Sequence, residues 1–166
     1  HTMSPVMHNA AFEKMGVNYL YIPFKVKKEN LGKAIKGVRA LNIRGLNVTI
    51  PHKVAVTQFL DGLDFLAERI GAVNTIVNDN GVLRGYNTDA TGFLQALLDK
   101  GVEPKGKNTV ILGAGGASRA ISFILAERGA HLVILNRLLE LDWAEELASK
   151  ISKISQEEVK ALELNE

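Results

Sequence analysis

The sequence predicts an α/β fold in two lobes, and three observations predict it. Helical stripes such as Leu31, Ala34, Ile35, Val38 and Leu41 alternate with short apolar runs of strand length. One such run, Thr109–Leu112, ends in Gly113-Ala114-Gly115-Gly116-Ala117-Ser118, and a helical pattern starts at once. Between Thr88 and Lys107 the character of the chain changes, with a helix from Asp89 followed by the loop Pro104-Lys105-Gly106. The expected division is an N-terminal α/β lobe over 1–88, a connecting helix and linker over 89–106, and a Rossmann-like lobe over 107–166.

The elements follow in order. Val6 to Met15 reads as a helix stopped by Gly16, and Tyr19 to Ile22 as a strand ending near Pro23. The stripe from Leu31 to Leu41 is a helix, and Gly45 to Ile50 a strand that should stop at Pro51. Val54–Leu60 and Phe65–Ile70 are short helices, and Ala72–Val77 a strand. Asn78-Asp79-Asn80-Gly81 is a hairpin turn into Val82–Gly85. Ala90, Phe93, Leu94, Leu97 and Leu98 make one helical stripe that ends at Gly101. After the glycine turn, Ala117, Ala120, Ile121, Ile124 and Leu125 are the expected buried face. Leu132–Leu135 is a second strand, and Ala144, Leu147, Ala148 and Ile151 mark a further helix. Ser155-Gln156-Glu157-Glu158 fits a capping box opening a last acidic helix. Only two strands are clear in this lobe, against about six in a complete doubly wound nucleotide domain. Either the chain is a fragment that stops early, or segments are missing after Arg137, with the Arg137-Leu138-Leu139 junction and the Lys150–Ser155 region the places to suspect a gap.

Composition narrows the function. The 166 residues carry a net charge of +2 with both signs interspersed, which argues against a nucleic-acid face or a polybasic membrane anchor. There is no cysteine, so disulfides, thiolate catalysis and Cys-held metal are excluded. His1, His8, His52 and His131 form no ligand spacing, and no metal is expected; His52 reads as structural or exposed. No apolar run approaches the roughly 20 residues of a membrane span, and a cytoplasmic protein, monomer or homodimer, is expected.

The glycine turn is the first functional signal. Gly113 permits a tight turn, and Gly115 lets backbone N–H groups reach a pyrophosphate at a helix N-terminus. Arg137 follows the second strand where an NAD binder usually places an acid nearby. An arginine suits a 2′-phosphate, so NADP is favoured. The second signal is four motifs in the first lobe: Ser4-Pro5, Asn47-Val48-Thr49-Ile50-Pro51-His52-Lys53, Gly71-Ala72-Val73-Asn74-Thr75 and Gly85-Tyr86-Asn87-Thr88-Asp89. Each sets amides, hydroxyls or a charge at a loop or strand end, where open α/β sheets bind ligands. A small polyhydroxylated acid suits them, and Lys53 with Asp89 adds an ionisable pair fit for acid–base work. Taken singly, Lys53 also reads as a solvated surface lysine and Asp89 as a helix cap.

In this order the motifs, with His8-Asn9, Gly92-Phe93 and Asn136-Arg137, resemble the shikimate dehydrogenase family over residues 1 to about 137. The resemblance implies reversible NADPH-dependent reduction of 3-dehydroshikimate to shikimate, on the chorismate route to aromatic amino acids. It implies Lys53 as catalytic acid/base paired with Asp89. Thr2 and Ser4 would take the substrate carboxylate, and Asn47, Thr49, Asn74 and Asp89 would line the rest of the pocket. Gly113, Ala114, Gly115, Gly116 and Ala117 would hold the pyrophosphate, and Asn136 and Arg137 the adenosine 2′-phosphate. Thr2 stands where the family has serine, and Leu138 where it has threonine after Asn-Arg. The family's strand before His1 and its later substrate contacts are not in this sequence. An NAD-using quinate/shikimate dehydrogenase and a truncated ligand-binding module without catalysis are the alternatives.

Overall fold

A computed structural model describes residues 2–155 and 158–165. Ser4–Met15 forms α1, with Pro5 at its start and Gly16 in the left-handed conformation at its end (φ 66°). α2 spans Leu31–Ala40 and buries Leu31, Ile35 and Val38 of the expected stripe; Ala34 is half-buried, and Leu41 follows the helix and is exposed. Strands β1 (Gly45–Asn47), β2 (Gly62–Leu63), β3 (Thr75–Asp79) and β4 (Val82–Tyr86) form one sheet in the order β1-β3-β4-β2. β3 and β4 are the expected hairpin, with Asp79 opposite Val82 across an Asn80-Gly81 turn in which both residues have positive φ. The short helix expected over Val54–Leu60 is a 3-10 helix, Ala55–Phe59, and α3 spans Phe65–Ile70 with Asp64 capping its N-terminus.

α4 (Asp89–Leu98) leads into the second sheet. Here β5 (Asn108–Leu112), β6 (His131–Asn136) and β7 (Lys160–Glu163) run parallel in that order. α5 (Gly116–Glu127) crosses from β5 to β6, and α6 (Leu141–Ser155) lies between β6 and β7. From Arg137 the backbone passes through a 3-10 turn, Leu138–Glu140, directly into α6. α6 buries Ala144, Leu147, Ala148 and Ile151, as its period foretells.

Four expectations need correction. Tyr19–Ile22 forms no strand and has no regular secondary structure. Its Tyr21 backbone is bonded by the Asn9 side chain instead, N–H to Oδ1 at 2.7 Å and C=O from Nδ2 at 3.0 Å. β1 stops at Asn47, because the chain turns at Thr49–His52, where the His52 N–H bonds the Thr49 carbonyl and the Ile50–Pro51 bond is cis. The segment read as a final acidic helix is β7, whose pairing with β6 outweighs local helix preference. Gln156 and Glu157 of the supposed capping box lie outside the described residues; Ser155 ends α6, and its hydroxyl bonds back to the Ile151 carbonyl at 3.1 Å. The buried face of α5 is also broader than expected. Ala117 is exposed and Ile121 half-buried, while Phe123 is fully buried. α5 meets α4 and α6 as well as the sheet, so more than one stripe is covered.

Two hydrophobic clusters result. One lies within the first lobe around Val56, Ala67, Val73, Ile76 and Leu83. The other fills the second lobe around Phe123, Ile134 and Leu147, and it takes in Ile70, Ala72, Ala90 and Leu94 from before Lys107. The lobes therefore share a core along α3, α4 and α5. Arg69 reinforces this contact: its guanidinium lies 4.9 Å from the Phe123 ring centre and 2.9 Å from Glu127. Nearby, burial and the Arg119 charge lower the pKa of Lys150, and Glu146 partly offsets them.

Asp61 holds the hairpin sheet to α2. Its carboxylate accepts the Leu83 N–H at 2.6 Å and the Arg39 guanidinium at 2.7 Å. These bonds, the Leu83 N–H foremost, lower its pKa below the ordinary aspartate value. A lowered acid contributes stability above its unfolded pKa and loses it as pH falls through the folded value. The Tm gap between the wild type and Asp61→Asn should therefore shrink as pH drops below about 4. Calorimetric melts across that range check it. Phe123→Ala should cost about 3–5 kcal/mol in denaturant unfolding at neutral pH.

Candidate active site

Three of the four first-lobe motifs, all but Ser4-Pro5, converge on one polar cluster. Lys53 follows the Thr49–His52 turn and its carbonyl accepts the Val73 N–H at 2.8 Å, which fixes it beside the segment leading to β3. Its Nζ lies 2.6 Å from Asp89 Oδ2, with side-chain exposures of 17% and 28%. Lys53 is thus no solvated surface lysine. Asp89 opens α4 but does not cap it; its carboxylate is spent on Lys53 and on Asn74.

Asn74 organises the rest. Its Nδ2 donates to Asp89 Oδ1 and to Thr88 Oγ1, both at 2.8 Å. Its Oδ1 accepts the Thr88 N–H and the Thr75 hydroxyl, both at 3.0 Å. Asn47 joins through Thr75 Oγ1 at 3.4 Å. Carboxylate, amide and ammonium therefore form one chain of bonds, Asn47–Thr75–Asn74–Asp89–Lys53, at the ends of β1, β3 and α4. Such a row offers donors and acceptors to a hydroxylated ligand and an ammonium to a reacting oxygen.

Other expected residues lie outside this chain of bonds. Thr49 is exposed in the turn before Lys53. Thr2 and Ser4 are bonded to each other, hydroxyl to hydroxyl at 3.0 Å, at the start of α1. His52 is half-buried with Nε2 2.8 Å from the Val26 carbonyl, so it ties the Lys53 turn to the segment before α2. Asn87 is a residue to which the sequence reading assigned no role. It is buried, donates to the Ala72 carbonyl at 2.9 Å, and accepts the N–H groups of Asp89 and Ala90 at 3.1 and 3.4 Å. The signal was present: an asparagine two residues ahead of a helix start is a capping residue.

The glycine turn adjoins this cluster. Gly113 has φ +90°, where a side chain would be strained. Gly115 precedes α5 in extended geometry, no side chain caps the helix, and space beside it is open. The first-turn N–H groups are thus available to an anion, and the turn fits a pyrophosphate. Ala114 is buried under it. Gly116 abuts the acid–base pair: a Cβ there would come within 2.7 Å of Lys53 Cβ. Ala117 is exposed on the same first turn of α5. At the end of β6, buried Asn136 donates to the Glu140 carbonyl at 2.6 Å, and exposed Arg137 meets Glu140 Oε2 at 2.7 Å.

Residues 1–76 match the family profile described as the shikimate dehydrogenase substrate binding domain. A shikimate dehydrogenase (NADP(+)) from Carboxydothermus hydrogenoformans is 52% identical over 159 residues, 94% of this chain and 56% of that protein. Along nearly all of its length the chain is similar to shikimate dehydrogenases. Two solved members share its fold. The Listeria monocytogenes shikimate 5-dehydrogenase in complex with shikimate and NAD has TM-score 0.83 and 43% identity, covering 99% of this chain and 57% of that one. The Thermus thermophilus enzyme in complex with NADP(H) and shikimate has TM-score 0.82 and 41% identity, covering 92% and 57%. The chain spans about half the length of the curated relatives it matches. Among the described residues no helix is long and apolar enough to cross a membrane, and no cluster of His, Cys, Asp and Glu could hold a metal ion.

The Gly116–Lys53 contact has a measurable sign. Alanine normally improves a helix position over glycine by roughly 0.5–1 kcal/mol. Gly92→Ala, in α4 with open space around it, should gain about that amount in thermal unfolding. Gly116→Ala should instead lower Tm, because its Cβ must displace the Lys53 stem.

Proposed function

We propose that the protein is the substrate-binding and nucleotide-binding part of a shikimate dehydrogenase. The reaction is the reversible, NADPH-dependent reduction of 3-dehydroshikimate to shikimate. The observation that carries this reading is the Lys53–Asp89 pair, at 2.6 Å, packed directly against the glycine turn at Gly116. A proton donor and a nucleotide cradle in contact are what a ketone reduction needs.

The roles combine the family resemblance with the Lys53–Asp89–Asn74 geometry, which supports them for those three residues. Residues 1–88 form the substrate lobe, 89–106 the connection and 107–166 the nucleotide lobe. Thr2 and Ser4 bind the substrate carboxylate with their hydroxyls. Asn47, Thr49, Asn74 and Asp89 bind its ring hydroxyls. Gly113, Ala114, Gly115, Gly116 and Ala117 hold the nucleotide pyrophosphate, and Asn136 and Arg137 its adenosine end. NADPH, when bound, supplies a hydride equivalent. Lys53 donates a proton from Nζ to the oxygen that becomes the new hydroxyl, and takes it back in the reverse direction. Asp89 is a catalytic partner that fixes the Nζ position and accepts a substrate hydroxyl, while Asn74 fixes Asp89. A pathway enzyme of this kind, with no membrane-crossing helix among the described residues, fits a cytoplasmic location.

The test is turnover of shikimate with NADP+, followed at the reduced-nicotinamide absorbance band, with shikimate binding measured by calorimetry. Lys53→Ala should lower kcat by about 10²–10⁴-fold with shikimate affinity changed only a few-fold. Near-normal kcat in that variant would remove Lys53 from the chemistry. Shikimate binding without turnover in the wild type would assign the chain to ligand binding alone.

A further inference from the structure

One residue, Glu140, engages both side chains assigned to the adenosine end of the nucleotide. Its carbonyl accepts the Asn136 amide at 2.6 Å, and its carboxylate holds the Arg137 guanidinium at 2.7 Å. The 3-10 turn Leu138–Glu140 arranges this by folding back on Arg137, with the Glu140 N–H bonded to the Arg137 carbonyl at 2.9 Å. The two turn residues between them are exposed leucines, which offer no side-chain donor. The Arg137 side chain is 73% exposed and that of Glu140 32%, so the carboxylate is the better-anchored partner.

This arrangement treats the two nucleotide types differently. A 2′-phosphate carries nearly two negative charges and only acceptors, so it competes with the carboxylate for one guanidinium and is repelled by it. A 2′-hydroxyl can donate to that same carboxylate, as the acidic residue of NAD-binding turns does. The geometry points to Glu140 as a specificity-determining residue, which opposes the 2′-phosphate and accepts a 2′-hydroxyl. The nucleotide lobe therefore admits NAD(H) alongside NADP(H). This inference rests on the nucleotide-site reading above.

Equilibrium binding tests it without turnover. NADP+ and NAD+ are titrated calorimetrically into the wild type, Glu140→Gln and Arg137→Ala. Glu140→Gln keeps the backbone carbonyl that holds Asn136 and removes only the charge. It should tighten NADP+ about tenfold and leave NAD+ unchanged or weaker, with the gain fading at high salt. Arg137→Ala should weaken NADP+ and spare NAD+. An NADP+/NAD+ affinity ratio unmoved by Glu140→Gln, with both nucleotides binding, overturns the role of Glu140 alone. Binding of neither nucleotide to the wild type and both variants overturns the nucleotide site itself, and the inference with it.

Discussion

The buried amide of Asn87 is the constraint on which the site depends. It bonds the Ala72 carbonyl on one side and the first N–H groups of α4 on the other. That double attachment sets α4 against the segment leading into β3. Asp89 and Asn74 are then forced into contact, and Asp89 faces Lys53. A buried amide left half-bonded would cost about 1–3 kcal/mol, so alternative placements of α4 are disfavoured by energy and not only by shape. The Lys53–Asp89 pair itself need contribute little stability. Its value lies in holding an ammonium at one place.

The same helix carries the link between the lobes. Ala90 and Leu94 of α4 pack in the cluster that centres on α5, as do Ile70 and Ala72. A movement of the second lobe against the first must therefore slide along this shared surface or bend where α4 meets the linker to β5. At its far end the absence of a side chain at Gly116 lets α5 sit on the Lys53 stem. The glycine has two consequences: no side chain of its own covers the helix N-terminus, and the turn comes directly against the Lys53 stem.

Local periodicity made much of the fold legible. The face of α6 follows a 3.6-residue repeat whose apolar members are buried as written, and α2 buries Leu31, Ile35 and Val38 of its stripe while Leu41 lies beyond the helix end and is exposed. The β3–β4 hairpin follows from Asn80-Gly81, whose backbone favours the turn before any partner strand exists. The glycine turn and the ordered Asn, Lys and Asp motifs marked residues that the fold does bring together, Lys53, Asp89, Asn74 and Gly116 among them. Less legible was anything that depends on a neighbour distant in sequence. Phe123 is fully buried since α5 is covered by helices on two flanks as well as by the sheet. Lys160–Glu163 is a strand only because β6 lies alongside it. Tyr19–Ile22 has strand composition, yet the Asn9 side chain takes the Tyr21 bonds that a neighbouring strand would make.

Which groups this protein could use was thus set by its residues in order: an ammonium, a carboxylate, a row of amides and hydroxyls, a glycine cradle and an arginine. Backbone preference and apolar spacing are local properties, and they survive reading one residue at a time. Which of those groups meet was left to the folded chain. Hydrogen bonds of 2.6 Å between Lys53 and Asp89, and of 2.8 Å between Asn74 and Asp89, arise only after loops have closed and lobes have packed. The Glu140 carboxylate on Arg137 belongs to the same class, since three residues of spacing permit the pair but only the 3-10 turn directs the two side chains together.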